Sequence, residues 1–190
     1  MARQSSKSNQ LRVIGGQWRS RKLSFPDVQG LRPTPDRVRE TVFNWLTAVV
    51  PSAHVLDVFS GSGALFFEAL SRGASSALAL ELDAAASRSL QQNITTLAAE
   101  NAQVLHINSL DYLARMASQR YDLVFVDPPF QKDMLAPSCH LLENNGWLSE
   151  QAWTCSESET APSSLDMPSN WRLHREKHAG LVYYALWQRA

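Results

Sequence analysis

From residue 51 onward, short apolar runs alternate with segments whose apolar residues recur at helical spacing. The runs predict strands and the periodic segments predict helices, because buried strands form continuous apolar stretches whereas a helix repeats every 3.6 residues. The predicted strands are 54–59, 76–82, 103–107, 121–126 and 152–156. The predicted helices are 64–72, 83–99, 109–118 and 133–144.

The end of the chain breaks this alternation. Two further segments, 171–177 and 181–187, flank Ala179-Gly180 and predict a hairpin. Alternating strands and helices are typical of βαβ units, in which the strands are parallel. We therefore predict an α/β fold: a Rossmann-like, doubly wound, mostly parallel seven-stranded sheet with one antiparallel edge strand.

The first 50 residues predict a small extension of this sheet domain. Residues 1–10 are polar without an apolar period, which predicts a disordered tail. The runs 11–14 and 22–25 flank two glycines and predict a basic hairpin. A helix is predicted to begin near Pro35, with Val38, Val42 and Leu46 on one side and Arg37, Arg39 and Glu40 largely on the other. The predicted units are thus the tail 1–10, a hairpin and helix over 11–50, and an α/β domain over 51–190.

Composition narrows the class of protein. A chain of 190 residues is expected to form one domain, and its two cysteines form no metal-binding motif. The polar N-terminus and the lack of a long apolar stretch indicate a cytoplasmic protein without a membrane segment. Residues 1–40 carry a net charge of +6 and the remainder −6. This asymmetry favours contact with nucleic acid through one end, and a solvated basic tail is the alternative.

The first candidate ligand site follows the strand 54–59. The sequence Ser60-Gly61-Ser62-Gly63 lies where this strand turns into a helix, and glycines there let the backbone approach a ligand closely. The third glycine of a dinucleotide fingerprint is absent, because position 66 is Phe. Asp57, just before the turn, is suited to accept from an ammonium or to order the loop. A tight turn without a ligand is the alternative.

An acidic residue marks the end of the second strand of the α/β domain. Glu81 lies 24 residues after Asp57, and an acid at about this offset commonly accepts hydrogen bonds from ribose hydroxyls. Asp83 is the better candidate to cap the following helix. Glu81 is therefore interpreted as a ribose ligand, with a solvated strand-end acid as the alternative.

The most specific motif is Asp127-Pro128-Pro129-Phe130, at the end of the fourth strand of the α/β domain. The prolines fix φ and lack N–H groups, so Asp127 and the Pro128 carbonyl present two acceptors on a rigid backbone. An exocyclic amine offers two matching donors, and Phe130 offers a ring on which a base can stack. The alternative is a turn that merely closes the strand.

These motifs, in this order, resemble class I S-adenosylmethionine-dependent methyltransferases that methylate amines. Two further segments narrow the resemblance: Arg32 to Glu40, running into Phe43-Asn44-Trp45, and Ile14 to Arg19. With them the chain resembles the RsmD family, which methylates a guanine N2 of small-subunit ribosomal RNA. The likeness covers about residues 11–188. One position departs from the wider superfamily, because Asn108 stands where many relatives carry Asp.

The resemblance implies S-adenosylmethionine as the cofactor and no metal. It places the cofactor over the glycine turn, with Glu81 on the ribose, Leu82 against adenine, and Asn108 with the Ser109 backbone at the adenine edge. The cofactor-binding residues that it implies are Arg37, Glu40, Asp57, Phe59, Ser60, Gly61, Ser62, Gly63, Glu81, Leu82, Asn108, Ser109 and Asp127. The implied catalytic residues are Asp127, Pro128, Pro129 and Phe130.

The resemblance also implies an RNA partner, namely 16S rRNA within the 30S subunit or an assembly intermediate, bound by a monomeric enzyme. The RNA-contacting residues would be Arg12, Trp18, Arg19, Arg21, Lys22 and Arg32. Trp18 is either a base-stacking residue or an anchor of the hairpin.

Three other functions are alternatives for a chain with these motifs. A DNA adenine-N6 methyltransferase would use the same two acceptors, Asp127 and the Pro128 carbonyl (the bracket), to hold its amine. The chain has no separate target-recognition domain, which argues against this function. Protein glutamine methylation fits less well, because such relatives more often begin the motif with Asn. A non-catalytic RNA-binding module that merely retains the fold is opposed by the intact Asp57, Glu81 and Asp127–Phe130.

Overall fold

The computed structural model describes residues 9–28 and 31–190, which form nine strands and five α-helices in those ranges. The strands are β1 (Asn9–Arg12), β2 (Lys22–Phe25), β3 (His54–Asp57), β4 (Ser76–Glu81), β5 (Ala102–His106), β6 (Tyr121–Val126), β7 (Leu148–Ser158), β8 (Trp171–Ala179) and β9 (Val182–Arg189). The helices are α1 (Asp36–Trp45), α2 (Ala64–Ser71), α3 (Ala84–Leu97), α4 (Ser109–Leu113) and α5 (Leu135–Asn144).

The central sheet has seven strands in the order β5-β4-β3-β6-β7-β9-β8. The first five are mutually parallel, and β9 runs antiparallel to both β7 and β8. The predicted mostly parallel, seven-stranded sheet with antiparallel pairing at one edge is confirmed; β9 itself lies one strand in from that edge. The strand order reverses between β3 and β6, so a crevice for ligands is expected where these two strands end.

Two hydrophobic cores cover the two faces of the sheet. Helices α1, α2 and α3 pack on one face together with the hairpin β1–β2, whereas α4 and α5 pack on the other. Successive residues of a strand point to opposite faces, and neighbours on β3 show this: Val55 belongs to the first core and Leu56 to the second. The hairpin and α1 share one core with the sheet, so the predicted extension is packed into the domain.

A buried ionic cluster joins the extension to the domain. Glu68 of α2 is fully buried, and its carboxylate accepts from the backbone N–H groups of Ile14 and Gly15 at 2.8 Å each. It also accepts from Arg72 Nε at 2.7 Å, and Arg39 Nη1 lies 3.6 Å away. Arg39 donates further to the carbonyls of Arg12 and Thr34.

The prediction that Arg39 lies on the polar side of α1 is therefore wrong. Its side chain is 1% exposed and lies among the buried residues of that helix. The helical period placed it near the boundary of the apolar stripe, and the buried carboxylate of Glu68 draws it inward. His106 is exposed on β5, since that strand forms an edge of the sheet.

Several element boundaries also differ from prediction. Strand β1 begins at Asn9, so two residues of the predicted tail are in the strand, while residues 1–8 lie outside the described ranges. Helix α4 ends at Leu113, well before residue 118. The reason is that the Leu113 carbonyl accepts from Asn145 and Trp147 side chains, while the Ala117 N–H donates to the Asn145 carbonyl.

The described residues also bear on membrane crossing, metal binding and the state of the cysteines. Within residues 9–28 and 31–190, no helix combines the length and apolarity that a membrane crossing requires. Over the same ranges, no three or more His, Cys, Asp or Glu side chains are grouped to hold a metal ion. Both cysteines are buried thiols.

Candidate active site

The glycine turn after β3 is shaped by two left-handed backbone positions. Gly61 has φ +49° and Gly63 has φ +78°, conformations that favour glycine. A Cβ on Gly63 would lie 2.5 Å from Leu90 and 2.7 Å from the Phe67 ring, so this position must be glycine for helix α2 to begin there. Among the described residues, a Cβ on Gly61 would meet only Leu31 within 4 Å, at 3.8 Å. The turn therefore leaves room above Gly61 for a ligand to approach the backbone.

The carboxylate of Glu81 faces this turn from the end of β4. It accepts from the Gly61 N–H and the Asp83 N–H, both at 2.7 Å. A carboxylate has about four lone-pair positions, so two acceptor positions remain for hydroxyl groups. Asp83 caps α3 by accepting from the N–H groups of Ala85 and Ala86, as the sequence predicts. Leu82, which lies between Glu81 and Asp83, is 64% exposed. The exposed apolar side chain of Leu82 beside the Glu81 carboxylate suits a nucleoside, with the base against Leu82 and the ribose hydroxyls at Glu81.

Asp57 is the buried acid beneath the turn. Burial, followed by the nearby carboxylates of Asp127 and Glu81, raises the pKa of Asp57 to about 8, while the N–H groups of Phe59 and Phe66 lower it. Three carboxyl groups thus converge where β3, β4 and β6 end. A ligand with positive charge would relieve their mutual repulsion, and a sulfonium with an amino-acid tail has that charge. The residues present therefore fit S-adenosylmethionine.

The two residues predicted at the adenine edge, Asn108 and Ser109, have hydrogen-bonding partners within the protein. The Asn108 side-chain oxygen caps α4 by accepting from the N–H groups of Leu110 and Asp111. Asn is a favoured N-cap residue, and in this role its side-chain oxygen is already bonded within the protein. The Ser109 hydroxyl donates to the Val58 carbonyl, which ties the start of α4 to the end of β3.

The segment Asp127–Phe130 leaves the end of β6 at the same edge of the sheet. Asp127 and Pro128 are partly buried, whereas Pro129 and Phe130 are exposed, the latter by 49%. Burial raises the pKa of Asp127, and a hydrogen bond with Glu157 opposes that shift. Phe130 is one of six large apolar side chains exposed in the described ranges, so its ring is available for stacking.

Glu157 and Tyr184 are site residues that the sequence analysis missed. Glu157 lies in β7 and pairs with Tyr184 of β9, and the charge of the neighbouring Asp127 raises the pKa of its carboxyl. The predicted strand stopped at Ser156, one residue short of Glu157. Extending the strand by one residue and applying the strand-end rule would have found it.

Tyr184 also lines a cavity of about 340 Å³ between α1 and the turn joining β8 to β9. Arg37 and Lys177 contribute positive charge to its wall, beside Thr41 and His178. The structure thus places Arg37 next to the residues around Asp127. Glu40 is exposed on the same helix, one turn further on.

The residues predicted to contact RNA lie on the hairpin and the following loop. Arg19, Arg21 and Lys22 are exposed on it. Arg12 pairs with Asp36 at 3.2 Å, and Arg32 lines a groove of about 550 Å³ beside β1 and β2. The backbone N–H of Trp18 donates to Ser71 Oγ. The indole ring of Trp18 is partly buried and packs against the first core. This contact favours the interpretation of Trp18 as an anchor.

Comparison with known proteins adds a family to this geometry. The family model described as "Conserved hypothetical protein 95", which corresponds to the RsmD family, matches residues 11–188. The chain belongs to this family. The match spans the hairpin, the glycine turn and the Asp127 motif, so the resemblance to the RsmD family is confirmed.

Two relatives of known assignment are similar over almost their whole length. The chain is 52% identical over 184 residues to ribosomal RNA small subunit methyltransferase D of Escherichia coli strain K12, covering 97% of this chain and 92% of the relative. It is 43% identical over 182 residues to the Haemophilus influenzae protein of the same name, covering 94% of each. The solved structure of Escherichia coli yhhF superposes with a TM-score of 0.90 at 52% identity, covering 95% of this chain and 98% of that one.

Proposed function

We propose that this protein transfers the methyl group of S-adenosylmethionine to the exocyclic N2 amine of one guanine in 16S rRNA. Membership of the RsmD family and the relatives named for small-subunit rRNA methylation support the reaction and the RNA. The observation that carries the choice of an amine as the methyl acceptor is the Asp127-Pro128 acceptor pair, which ends β6 beside a carboxyl-lined cofactor cradle. Guanine N2, as the particular amine, is supported by membership of the RsmD family.

The proposed cofactor cradle comprises the glycine turn and the two acids that face it. Glu81 would accept from the ribose hydroxyls, Leu82 would cover one face of adenine, and Asp57 would face the cationic end of the cofactor. The side-chain NH₂ of Asn108 would then be the group directed at a ring nitrogen of adenine, because its oxygen caps α4. When bound, S-adenosylmethionine supplies an electrophilic methyl group with a sulfide leaving group.

The bracket at Asp127 would hold the amine that attacks this methyl group. The N2 lone pair of guanine is delocalised into the ring, so the free amine is a weak nucleophile. Hydrogen bonds from N2 to Asp127 and to the Pro128 carbonyl would fix the amine and favour a pyramidal nitrogen. Correct alignment of the reacting atoms contributes up to about 7–11 kcal/mol in well-oriented reactions. The exposed ring of Phe130 would stack on the base.

The target guanine must leave its base stack to reach the bracket, because the bracket lies at the carboxyl ends of the strands beside the cofactor cradle. The exposed cations of the hairpin would bind phosphates on one side of the cleft. On the other side, Arg37 and Lys177 line the cavity beside Tyr184 and would hold the backbone near the target base. The substrate is then 16S rRNA in the 30S subunit or an assembly intermediate, and the enzyme would act as a monomer.

The decisive experiment is methylation of 30S particles purified from cells that lack this activity. With radiolabelled cofactor, we expect one methyl group per particle, mapped by nuclease digestion to the N2 position of a single guanine. Duplex DNA assayed in parallel should remain unlabelled. Label in adenine N6 of DNA would favour the alternative methyltransferase, and calorimetry without detectable cofactor binding would favour a non-catalytic RNA-binding module.

A separate prediction concerns the basic hairpin. Changing Arg19, Arg21 and Lys22 together to Gln should weaken binding to 30S particles and lower the slope of log affinity against log salt by about 2, because each lost phosphate contact removes released counterions. Cofactor affinity, measured by calorimetry, should be unchanged. The exposed pair Arg115 and Arg120, changed to Gln as a control, should keep the original slope. An equal slope in both variants would exclude the hairpin from the RNA interface.

A further inference from the structure

Asp127, Glu157 and Tyr184 form one row across three adjacent strands. Ser156 of β7 is in register with Val126 of β6, and Glu157 is in register with Tyr184 of β9. Asp127 follows Val126 directly, so it extends this row to β6. Because side chains alternate along a strand, all three lie on the face that carries α1.

The strand register makes the three side chains neighbours. The carboxyl of Glu157 lies between the carboxyl of Asp127 and the phenol of Tyr184 on adjacent strands. Two neighbouring carboxyl groups oppose each other's ionisation. Burial and the charge of Asp127 raise the pKa of Glu157, and Tyr184 lowers it by donating to the carboxylate.

No cation in the part of the chain that the structure describes forms an ion pair with either carboxyl. Two neighbouring, partly buried carboxyl groups without a cation are unfavourable for folding, so this pair has the character of a functional site. It lies beside the bracket for the amine and, through Tyr184, beside the cavity that Arg37 and Lys177 line. The site therefore has two carboxyl groups where an amine-methylating bracket needs only one.

Guanine has a donor for each carboxyl group. Its N1–H lies next to its N2 amine on the Watson–Crick edge, so the two donors can meet two neighbouring acceptors. Adenine has a lone pair at N1, which would face a carboxylate oxygen without a proton between them. A site built to accept a hydrogen bond rejects the base that cannot donate one, because its polar group stays unpaired.

We propose that Glu157 is a catalytic residue that accepts the guanine N1–H beside Asp127 and takes up the proton released from N2. This inference rests on the proposed function. As the N2–CH₃ bond forms, the S–CH₃ bond breaks with its electron pair moving to sulfur. The nitrogen, now positively charged, loses one proton to the carboxyl pair, which passes it to water.

The pair must be ionised to accept that proton, so activity should fall toward acid pH. The groups that face Glu157 are Asp127, Tyr184 and Cys155 from the sheet. Asp57 lies further along the strand ends, and Arg37, Lys177 and His178 line the adjoining cavity. In the wild-type enzyme the acid limb of kcat/KM should follow Glu157, whose pKa is raised to about 8 by burial and by the charge of Asp127. Glu157→Gln leaves Asp127, whose pKa is raised to about 7 by burial, as the titrating carboxyl, so the acid limb should move to lower pH by about one unit.

Tyr184→Phe keeps the packing of the ring and removes the hydrogen bond that favours the Glu157 carboxylate. The acid limb should therefore move the other way, upward by about half a unit. Opposite shifts are not expected from a role in packing alone. The exposed Glu159, changed to Gln as the matched control, should leave the profile unchanged. An acid limb that stays in place in both site variants would overturn the proposal, and Tyr184→Phe alone decides the matter if Glu157→Gln does not fold.

Base selectivity tests the N1 contact itself. A 30S particle carrying 2-aminopurine at the target position retains the amine but has no N1–H. The wild-type enzyme should methylate it at least about tenfold more slowly than guanine, and Glu157→Ala should lose most of this preference. Equal wild-type rates on the two bases would exclude the contact. Failure of the wild-type enzyme to label guanine N2 at all would instead overturn the proposed function.

Discussion

Replacement of Asp127 by alanine is expected to slow methyl transfer by about 10³-fold, the range seen when one group that stabilises a transition state is removed. The carboxyl lies at the end of β6 and, in the proposed mechanism, holds the amine in line with the methyl group. Cofactor binding should survive, because the carboxylate of Asp127 opposes ionisation of Asp57 and its loss relieves that repulsion. Single-turnover methylation of 30S particles and calorimetry with cofactor measure the two effects separately.

Two variants control this experiment. Asp127→Asn keeps a side-chain oxygen that can accept from the amine, so it should retain more activity than Asp127→Ala. Asp166→Ala removes an exposed acid elsewhere and should behave as wild type. If Asp127→Ala transferred methyl groups at more than a tenth of the wild-type rate, the bracket could not be the amine-holding element. If it lost cofactor binding instead, Asp127 would belong chiefly to the cofactor cradle.

The residues that sequence reasoning identified share one property: each ends a strand of a parallel sheet. Asp57, Glu81 and Asp127 were found because ligands bind at those ends, and the motifs there are short and local. The structure brings the three carboxyl groups close enough for Asp127 and Glu81 to raise the pKa of Asp57. Strand order and parallel pairing follow from the alternation of elements, so this part of the site could be predicted with the fold.

The residues that were missed depend on relations between distant segments. Glu157 is followed by Ser, Glu and Thr, a stretch typical of a solvated loop, and only the register of β6, β7 and β9 shows that it faces Asp127. For Arg39, the helical period predicts a position largely outside the apolar stripe of its helix. Its buried partner, Glu68, lies 29 residues later, and no local pattern connects the two.

Asn108 shows a different limit. Its position after the third strand of the α/β domain was predicted, but its side chain serves both as a strand-end polar group and as the cap of α4. Those two roles compete for one oxygen, and the cap takes it. A sequence pattern locates such a residue, whereas the choice between its possible partners depends on the conformation of the following turn.

Removal of the Glu68 carboxylate by a change to alanine is expected to lower the free energy of unfolding by about 3–5 kcal/mol, the cost of breaking a buried ionic pair. Glu68 and Arg39 are both almost completely buried, and Glu68 is the acceptor for the N–H groups of Ile14 and Gly15. Its loss leaves these donors and part of the guanidinium without a partner. Urea unfolding followed by circular dichroism measures the change.

Two controls separate the buried network from the loss of a charge. Glu68→Gln keeps one acceptor oxygen for the hairpin and should cost less than alanine, whereas Glu40→Ala on the exposed side of α1 should stay within about 0.5 kcal/mol of wild type. Because Glu68 holds the start of the hairpin turn, limited proteolysis of the alanine variant should cut within residues 13–21 first. Stability within 1 kcal/mol of wild type, with the hairpin still protected, would show that packing of Leu11, Val13 and Leu23 alone docks the basic extension.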